Sequence, residues 1–251
     1  MTRLRGILAV VRLALLTRSP LAFLVRQRRR APGVHAYRLR GSGVVFHLRH
    51  GTPDVNTYDE VFRQRQYAPP PEVEPLIGAA PRVADLGANI GLFGAWTLAR
   101  SPGARLLAFE PDPANADVLR RTIAGNPRAG WELVEACAGA ADGETRFAAG
   151  GFALSRMGEG DTVVPVIDAL ERLRDAHVVK MDVEGGEWAI LGDPRFGELP
   201  ARVVVLEYHP HLCPEPDARA AAVARLEELG YAVRVFEHRP DGTGMLWAWR
   251  T

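Results

Sequence analysis

The sequence predicts a doubly wound α/β fold, in which helices cover both faces of a mostly parallel sheet. From residue 82 onward, strand-like and helix-like segments alternate, which is the pattern of parallel strands joined by crossover helices. The last two strand-like segments are joined by a Pro-Asp-Gly turn, and strands joined by so tight a turn must run antiparallel. A chain of 251 residues, 47% of them hydrophobic, suits one globular domain with an N-terminal appendage.

The elements of this sheet follow from short apolar runs and from the helix-type spacing between them. The predicted strands are residues 82–86, 105–110, 131–136, 178–182, 203–208, 231–237 and 245–249. The predicted helices are residues 92–99, 113–125 and 218–229. An insertion, residues 138–165, adds two strands around a glycine-rich tip. A doubly wound, Rossmann-like sheet that ends in an antiparallel hairpin is the class I methyltransferase arrangement and differs from the ordinary dinucleotide-binding one.

A small N-terminal α/β extension precedes this sheet. Residues 1–30 are predicted to form a basic amphipathic helix, and residues 31–75 an extension that acts as a lid on the substrate side. Residues 76–251 are then the class I methyltransferase domain. Within the extension, two strands and a helix are predicted at residues 37–39, 44–48 and 55–66.

The beginning of the chain is strongly basic. Eleven arginines and no acidic residue lie in the first fifty positions, although the net charge of the whole chain is +1. One face of the first predicted helix is apolar and consists of Leu4, Leu8, Val11 and Leu15. We expect this face to pack on the domain or on a partner, with weak contact to an anionic membrane surface as the alternative. No aromatic residue for base stacking precedes Phe23, so no nucleic-acid partner is predicted.

Targeting and metal motifs are not evident in the sequence. Arg12 interrupts the first apolar run, so neither a signal peptide nor a membrane span is predicted. Cys137 and Cys213 lie far apart without metal-ligand spacing, which favours a reducing, cytoplasmic location.

The turn after the first strand of the domain has the character of a cofactor site. Asp85 precedes Gly87, Asn89 and Gly91, and a helix follows at once. Glycines allow a ligand to approach the backbone closely, and a helix N-terminus offers free N–H groups. A dinucleotide site would use G-x-G-x-x-G. The acid and the G-x-x-x-G spacing instead favour a ligand with an ammonium group, such as the methionine end of S-adenosylmethionine.

A carboxylate ends the second strand of the domain. Glu110 lies nineteen residues beyond Gly91, where an acid can accept hydrogen bonds from both hydroxyls of a ribose. The competing interpretation is that Asp85 and Asn89 cap the following helix and that Glu110 is an exposed strand end.

These segments resemble the FkbM-type methyltransferase family. The resemblance is carried by residues 83–91, 109–111, 179–187 with the sequence Asp182-Val183-Glu184-Gly185, and 207–209, and by Asp54, Glu60 and Tyr67 upstream. It implies a class I fold and S-adenosylmethionine as the cofactor. It also implies methyl transfer, typically to hydroxyl groups of natural products or sugars. The first thirty residues lie outside it.

Ionisable residues follow two strands that are neighbours in this fold. Lys180, the only lysine of the chain, shares a direction with Asp182 and Glu184 if the strand stays extended, as Glu207 does with His209. We therefore expect five ionisable groups at the carboxyl edge of the sheet, where such folds bind ligands. A structural ion-pair network around Lys180 is the alternative for that residue.

This cluster suggests the chemistry of the site. Methyl transfer from a sulfonium requires alignment of the acceptor oxygen, and a base helps an alcohol to lose its proton. Asp182 and His209 are the candidate catalytic residues, because His209 is expected to titrate near neutral pH. Glu184, Glu207, Lys180 and Tyr67 are the candidate substrate-binding residues. No metal is predicted.

Four alternatives remain to be distinguished. A Mg²⁺-dependent methyltransferase would use the same acidic cluster. An N-methyltransferase often carries Asn-Pro-Pro-aromatic after the fourth strand, where this chain has Asp182. A nicotinamide-dependent reductase would need G-x-G-x-x-G and Tyr-x-x-x-Lys, and both motifs are missing. A non-catalytic cofactor-binding scaffold would keep the glycine turn but would not need Asp182 and His209 together.

Overall fold

The computed structural model describes residues 2–147 and 161–251, and it describes only the backbone of residues 2–5 and 147. The strands of these parts, in chain order, are β1 (Val34–Arg38), β2 (Val45–Arg49), β3 (Arg82–Leu86), β4 (Arg105–Phe109), β5 (Gly130–Val134), β6 (Cys137–Gly139), β7 (Gly143–Phe147), β8 (Thr162–Asp168), β9 (Val178–Met181), β10 (Val203–Tyr208), β11 (Ala232–His238) and β12 (Gly244–Trp249).

The helices of the same parts divide between an N-terminal group and the crossovers of the sheet. They are α1 (Thr2–Leu15), α2 (Pro20–Arg29), α3 (Asp54–Tyr58), α4 (Glu74–Ile77), α5 (Leu92–Arg100), α6 (Pro113–Ala124), α7 (Ala169–Arg172), α8 (Glu187–Gly192), α9 (Arg195–Glu198) and α10 (Ala218–Glu228). A π-helical segment, Asp59–Gln64, continues α3 without a break.

The central sheet confirms the predicted fold class. Its seven strands lie in the order β11-β12-β10-β9-β3-β4-β5. The pairs from β10 to β5 are parallel, whereas β12 runs antiparallel to both β10 and β11. Strands β3, β9 and β10 are mostly buried along their length, as expected where helices cover both faces. Because the chain reverses its winding between β3 and β9, a crevice opens at their carboxyl ends.

The insertion after β5 contains more structure than predicted. Where two strands were expected, β6, β7 and β8 form a separate sheet in the order β6-β8-β7. The third strand was missed because β6 is only three residues long and carries no alternation. The predicted glycine-rich tip, at residues 150–151 and 158–160, lies outside the described residues.

The N-terminal helix differs from its prediction in two ways. The chain forms two helices, α1 and α2, separated at Ser19-Pro20, because proline is favoured in the first turn of a new helix. The apolar face that we expected to pack on the domain or on a partner does not pack on the domain: Leu8 and Leu15 are exposed, and Leu13 and Ala14 are buried instead.

The inner side of this helix pair belongs to the core of the extension. Phe23 is completely buried and its ring contacts those of Tyr37, His50 and Tyr58 at centroid distances of 5.1–5.9 Å. The Tyr58 hydroxyl donates a hydrogen bond to the Leu13 carbonyl at 3.3 Å. The division of the chain at residue 30 stays a prediction, and it runs through a packed interface.

Candidate active site

The glycine turn between β3 and α5 lies against the loop that follows β9. Gly87 has φ +80°, and a Cβ there would lie 1.7 Å from the carbonyl oxygen of Asp182. Gly91 has φ +81° and faces Leu119 and Trp131, where a Cβ would lie 2.4 Å from Leu119 Cδ1. Both glycines are therefore required by close packing within the protein. Their predicted contact with a cofactor stays a prediction.

Asn89 and Glu110 join this turn to the end of β4. Asn89 adopts the left-handed conformation with φ +52°, and its N–H donates to Glu110 Oε2 at 2.7 Å. Glu110 Oε1 accepts from the N–H of Asp112 at 2.9 Å. Burial raises the pKa of Glu110 to about 7, even though these hydrogen bonds favour its ionised form. The Asn115 side chain also donates a hydrogen bond to this carboxylate. A carboxylate has about four acceptor positions, so with these three donors bound Glu110 can still accept from one ligand hydroxyl.

Asp85 and Lys180 form a buried ion pair on adjacent strands. They are register partners between β3 and β9, and Lys180 Nζ lies 3.1 Å from Asp85 Oδ1 and 3.7 Å from Asp182 Oδ2. Lys180 also donates to the Gly87 carbonyl at 2.6 Å. Burial would lower its pKa, but the two carboxylates outweigh burial and raise it. The ion-pair interpretation of Lys180 is thus the one the geometry favours, and contact of Asp85 with a ligand ammonium group stays a prediction.

A cavity of about 680 Å³ opens beside this ion pair. All five ionisable residues predicted at the sheet edge line it, together with Tyr67. Side chains of the extension and of the β11–β12 hairpin complete it, and these are Thr57, Glu60, Gln64, Gln66, Glu237, Arg239, Asp241 and Thr243. Carboxylates outnumber cations in this lining. The cavity therefore suits a ligand that carries positive charge or many hydroxyl groups.

His209 lies in the wall of the cavity between two glutamates. Its Nδ1 is 3.1 Å from Glu187 Oε1, and its Nε2 is 3.5 Å from Glu184 Oε2. Burial would lower the pKa of His209, but the hydrogen bond to Glu187 and the charges of Glu187, Asp182 and Glu184 raise it to about 9. This differs from the expectation that His209 titrates near neutral pH, and it favours the imidazolium at pH 7.

The loop after β9 departs from the expected extended strand. The strand ends at Met181, and Glu184 adopts the left-handed conformation with φ +52°. Gly185 follows with φ +108°, where a Cβ would lie 2.8 Å from the ring of His211. Lys180 and Asp182 lie side by side, as predicted for an extended strand, but the strand does not stay extended as far as Glu184. The turn nevertheless brings Glu184 back to the cavity beside His209, because it reverses the chain into α8.

Glu207 has a partner that the sequence did not indicate. Arg239, in the turn of the final hairpin, donates to Glu207 Oε1 at 2.7 Å and to both oxygens of Glu237. Burial and repulsion by Asp182 raise the pKa of Glu207 to about 7, although Arg239 lowers it. A final antiparallel hairpin was predicted, so an arginine in its turn was the available signal.

The extension contributes Tyr67 and Glu60 to the same cavity. Tyr67 is almost fully buried and packs edge to face on Phe93, with ring centroids 5.0 Å apart. Burial and the nearby charges of Asp182 and Glu207 raise its pKa well above 10. Glu60 lies on the π-helical segment, and burial raises its pKa as well. A π-helical turn often marks a functional site, but sequence spacing does not reveal it.

A known family matches the part of the chain that carries the glycine turn, Glu110 and the ionisable residues that follow β9 and β10. Residues 85–233 match the family model described as the Methyltransferase FkbM domain. The chain belongs to the FkbM methyltransferase family. The family cofactor is S-adenosylmethionine, and the acid-rich cavity beside the Gly87–Gly91 turn fits its cationic sulfonium and ammonium groups.

Individual relatives of this FkbM protein are distant. Methyltransferase sdnD of Sordaria araneosa is 50% identical over 46 residues. The match covers 18% of this chain and only 18% of that relative's length. The solved FkbM methyltransferase of Methylobacillus flagellatus KT is 14% identical, with a TM-score of 0.54, over 98% of this chain and 59% of its own. Magnesium protoporphyrin IX methyltransferase of Synechocystis PCC 6803, with bound SAM, is 12% identical with a TM-score of 0.47, over 81% of this chain and 86% of its own. At 14% identity, the Methylobacillus flagellatus structure establishes the fold alone.

Proposed function

We propose that this FkbM protein is an S-adenosylmethionine-dependent O-methyltransferase that acts on a hydroxyl group of a small polar molecule. The observation that carries the proposal is the position of Asp182. Its carboxylate lines the cavity with 27% of the side chain exposed, directly beside the Gly87 turn. A carboxylate that solvent and ligand can reach, next to the cofactor turn, is suited to accept a proton.

The bound cofactor supplies an electrophilic methyl group on a positively charged sulfur. The protein must then align the acceptor oxygen and receive its proton. Lys180 lies between Asp85 and Asp182 and holds the Asp182 side chain at the edge of the sheet. Asp182 is accordingly our candidate for the general base.

For His209 we propose a role different from the general base expected from the sequence. Because Glu187 and Glu184 hold it as an imidazolium, it has no lone pair with which to accept a proton. A charged ring in the cavity wall can instead donate a hydrogen bond and attract the developing oxyanion of the acceptor. We therefore propose His209 as the group that orients the acceptor and stabilises its negative charge.

The acceptor class follows from the rest of the lining. Glu60, Glu184 and Glu207 offer carboxylate oxygens, and Arg239 offers guanidinium donors close to Glu207. Such groups form hydrogen bonds with several hydroxyls at once, which favours a sugar or a polyhydroxylated natural product. The extension supplies Tyr67 and Glu60, which supports its proposed role as the lid on the substrate side.

A divalent cation is a second candidate component of this site. One ligand atom each from Asp182, Glu184 and His209 lies within 4.8 Å of the other two. Oxygen-rich sites suit Mg²⁺, and an imidazole that binds a metal must be neutral. In that case the protein would be a Mg²⁺-dependent O-methyltransferase of the same fold.

A transfer assay tests these alternatives together. The purified protein is incubated with radiolabelled S-adenosylmethionine and with acceptors grouped as sugars, polyhydroxylated natural products and amines, with and without EDTA. Labelling of hydroxyl acceptors that persists in EDTA supports the proposal. Loss of labelling in EDTA that Mg²⁺ restores identifies the metal-dependent enzyme. Labelling of amines alone contradicts O-methylation, and cofactor binding without labelling of any acceptor identifies a scaffold protein.

A further inference from the structure

The first helix directs its apolar face away from the protein. Ile7, Leu8 and Leu15 are 61%, 49% and 53% exposed, and Val11 between them is only half-buried. The spacing from Leu8 to Leu15 is two helical turns, so these side chains form one stripe along α1. Arg12 lies exposed at its border. An amphipathic helix normally buries this side, so a stripe that faces outward indicates an external partner.

The second helix repeats the arrangement. Leu21 and Val25 are 77% and 49% exposed, and Arg28 and Arg29 follow at the spacings that place all four side chains on one helical face. The outer face of α2 therefore also combines large apolar side chains with arginines.

The arginines of these outer faces have no carboxylate beside them among the described residues. No described carboxylate lies within 4.0 Å of Arg12, Arg28 or Arg29, and the first acidic residue of the chain is Asp54. Several arginines on the surface of the methyltransferase domain do have such a partner, as in the pair of Arg172 with Glu132, whereas on the outer faces of the helix pair none of the three has a described one. The helix pair thus carries a positive charge that its own surroundings leave uncompensated.

The outer side chains of α1 and α2 are not needed to hold the two helices in place. Leu13, Ala14 and Phe23, on the inner sides, anchor the two helices in the core of the extension. The outer residues are consequently free to contact something else without loss of folding. Among the described residues no helix is long and apolar enough to cross a membrane.

We propose that the outer faces of α1 and α2 dock this protein on an anionic lipid surface. Apolar side chains on such helices enter the boundary between headgroups and acyl chains, while arginines reach the lipid phosphates. The positive charge of these faces favours an anionic bilayer as the binding partner. Such a bilayer is extended, negatively charged and able to accept apolar side chains along its whole area.

The test uses the full chain and vesicles of phosphatidylcholine alone or mixed with phosphatidylglycerol. Flotation or sedimentation should show binding to the anionic vesicles only, and high salt should weaken it, because salt screens the charges. Each arginine near an anionic surface strengthens binding about fivefold, so Arg12→Gln, Arg28→Gln and Arg29→Gln together should weaken it by about a hundredfold.

A second variant separates the apolar contribution from the charge. Leu8→Ser with Leu15→Ser should weaken binding to anionic vesicles by at least tenfold, since two side chains no longer enter the bilayer. Val163→Ser and Arg128→Gln, which change an exposed apolar residue and an exposed arginine elsewhere, are the matched controls and should bind like wild type. Circular dichroism and S-adenosylmethionine affinity report that each variant is folded.

The proposal has clear contrary outcomes. Equal partition to neutral and anionic vesicles would contradict the role of the arginines. Absence of vesicle binding by the folded wild-type chain would overturn the proposal and would leave an acidic protein as the partner to seek. These readouts are independent of methyl transfer, so they stand or fall separately from the proposed activity.

Discussion

Individual charged residues decide how this site works. A run of apolar strand residues places Lys180 in the core, where its charge is tolerated because Asp85 lies opposite it on the next strand. The sequence showed that these groups would meet at the sheet edge. It did not show which pairs would form, because partners such as Arg239 and Glu187 come from other elements, the final hairpin and α8.

Glu110 provides a first prediction at this scale. We expect Glu110→Gln to weaken S-adenosylmethionine binding tenfold to hundredfold in calorimetry. The amide has one acceptor oxygen where the carboxylate has two, and hydrogen bonds to a charged group contribute about 1.5–3 kcal/mol. Glu135→Gln, at an exposed position just beyond β5, is the control and should keep wild-type affinity. Wild-type affinity in both variants would contradict the assignment of the ribose site.

His209 provides a second prediction, which concerns pH. Its pKa is raised from 6.5 to about 9 in the folded protein, so the folded state holds the extra proton more tightly. The resulting stability is fully present below pH 6.5 and is lost as the pH rises through 9, by roughly 3 kcal/mol at most. Urea unfolding in EDTA measures the free energy of unfolding at each pH. Between pH 6.5 and 9 this free energy should fall more steeply in wild type than in His209→Gln.

The control for this measurement is His177→Gln, because His177 is exposed at the start of β9. In that variant, the free energy of unfolding should fall with pH as steeply as in wild type. If the free energy of unfolding falls with pH equally in all three proteins, His209 is not held as an imidazolium, and the sequence-based expectation that it titrates near neutral pH would then be correct.

At the scale of elements, the alternating strands and helices of the domain could be predicted because burial imposes their patterns directly. Strands β3 and β10 coincide with the predicted ranges. The structure differs from the prediction where tertiary packing, and not the local sequence pattern, determines the conformation. The outward stripe of α1 has the periodicity of a packed helix, but the core of the extension uses Leu13 and Ala14 instead. The left-handed Glu184 and the π-helical Asp59–Gln64 have no sequence period that would reveal them.

The contact between two turns gives a third prediction. Gly87→Ala should lower the melting temperature and weaken S-adenosylmethionine binding, because the new Cβ would collide with the Asp182 carbonyl and φ +80° disfavours alanine. Gly192→Ala is the matched control, since a Cβ there meets nothing within 4 Å and helices favour alanine. A thermal melt and a cofactor titration of both variants check this. Unchanged behaviour of Gly87→Ala would show that the two turns are not in contact.

At the scale of the whole molecule, the extension and the methyltransferase domain build one cavity between them. Residues from the π-helical segment, the glycine turn, the loop after β9 and the final hairpin all line it. The sequence indicated the sheet edge and Tyr67. It could not place Arg239 or Glu60 opposite that edge, because loop and helix packing over long sequence separation leaves no local pattern.

The helix pair at the N-terminus gives a prediction at this scale. Phe23→Ala should lower the free energy of unfolding by about 3–5 kcal/mol, as expected when a fully buried aromatic ring is removed. Leu21→Ala, two residues away and 77% exposed, should change it by less than about 0.5 kcal/mol. Denaturant titration checks both. A small effect of Phe23→Ala would mean that residues 1–30 are a separate arm, as the sequence suggested.

The most direct measurement compares turnover and cofactor affinity in Asp182→Asn. Once an acceptor is found, we expect turnover to fall by roughly a hundredfold to ten-thousandfold, because the amide cannot accept the acceptor's proton. S-adenosylmethionine affinity should stay within a few fold of wild type, and Asp175→Asn, an exposed surface substitution, should leave both unchanged. Wild-type turnover in Asp182→Asn, or a loss confined to cofactor affinity, would contradict the account.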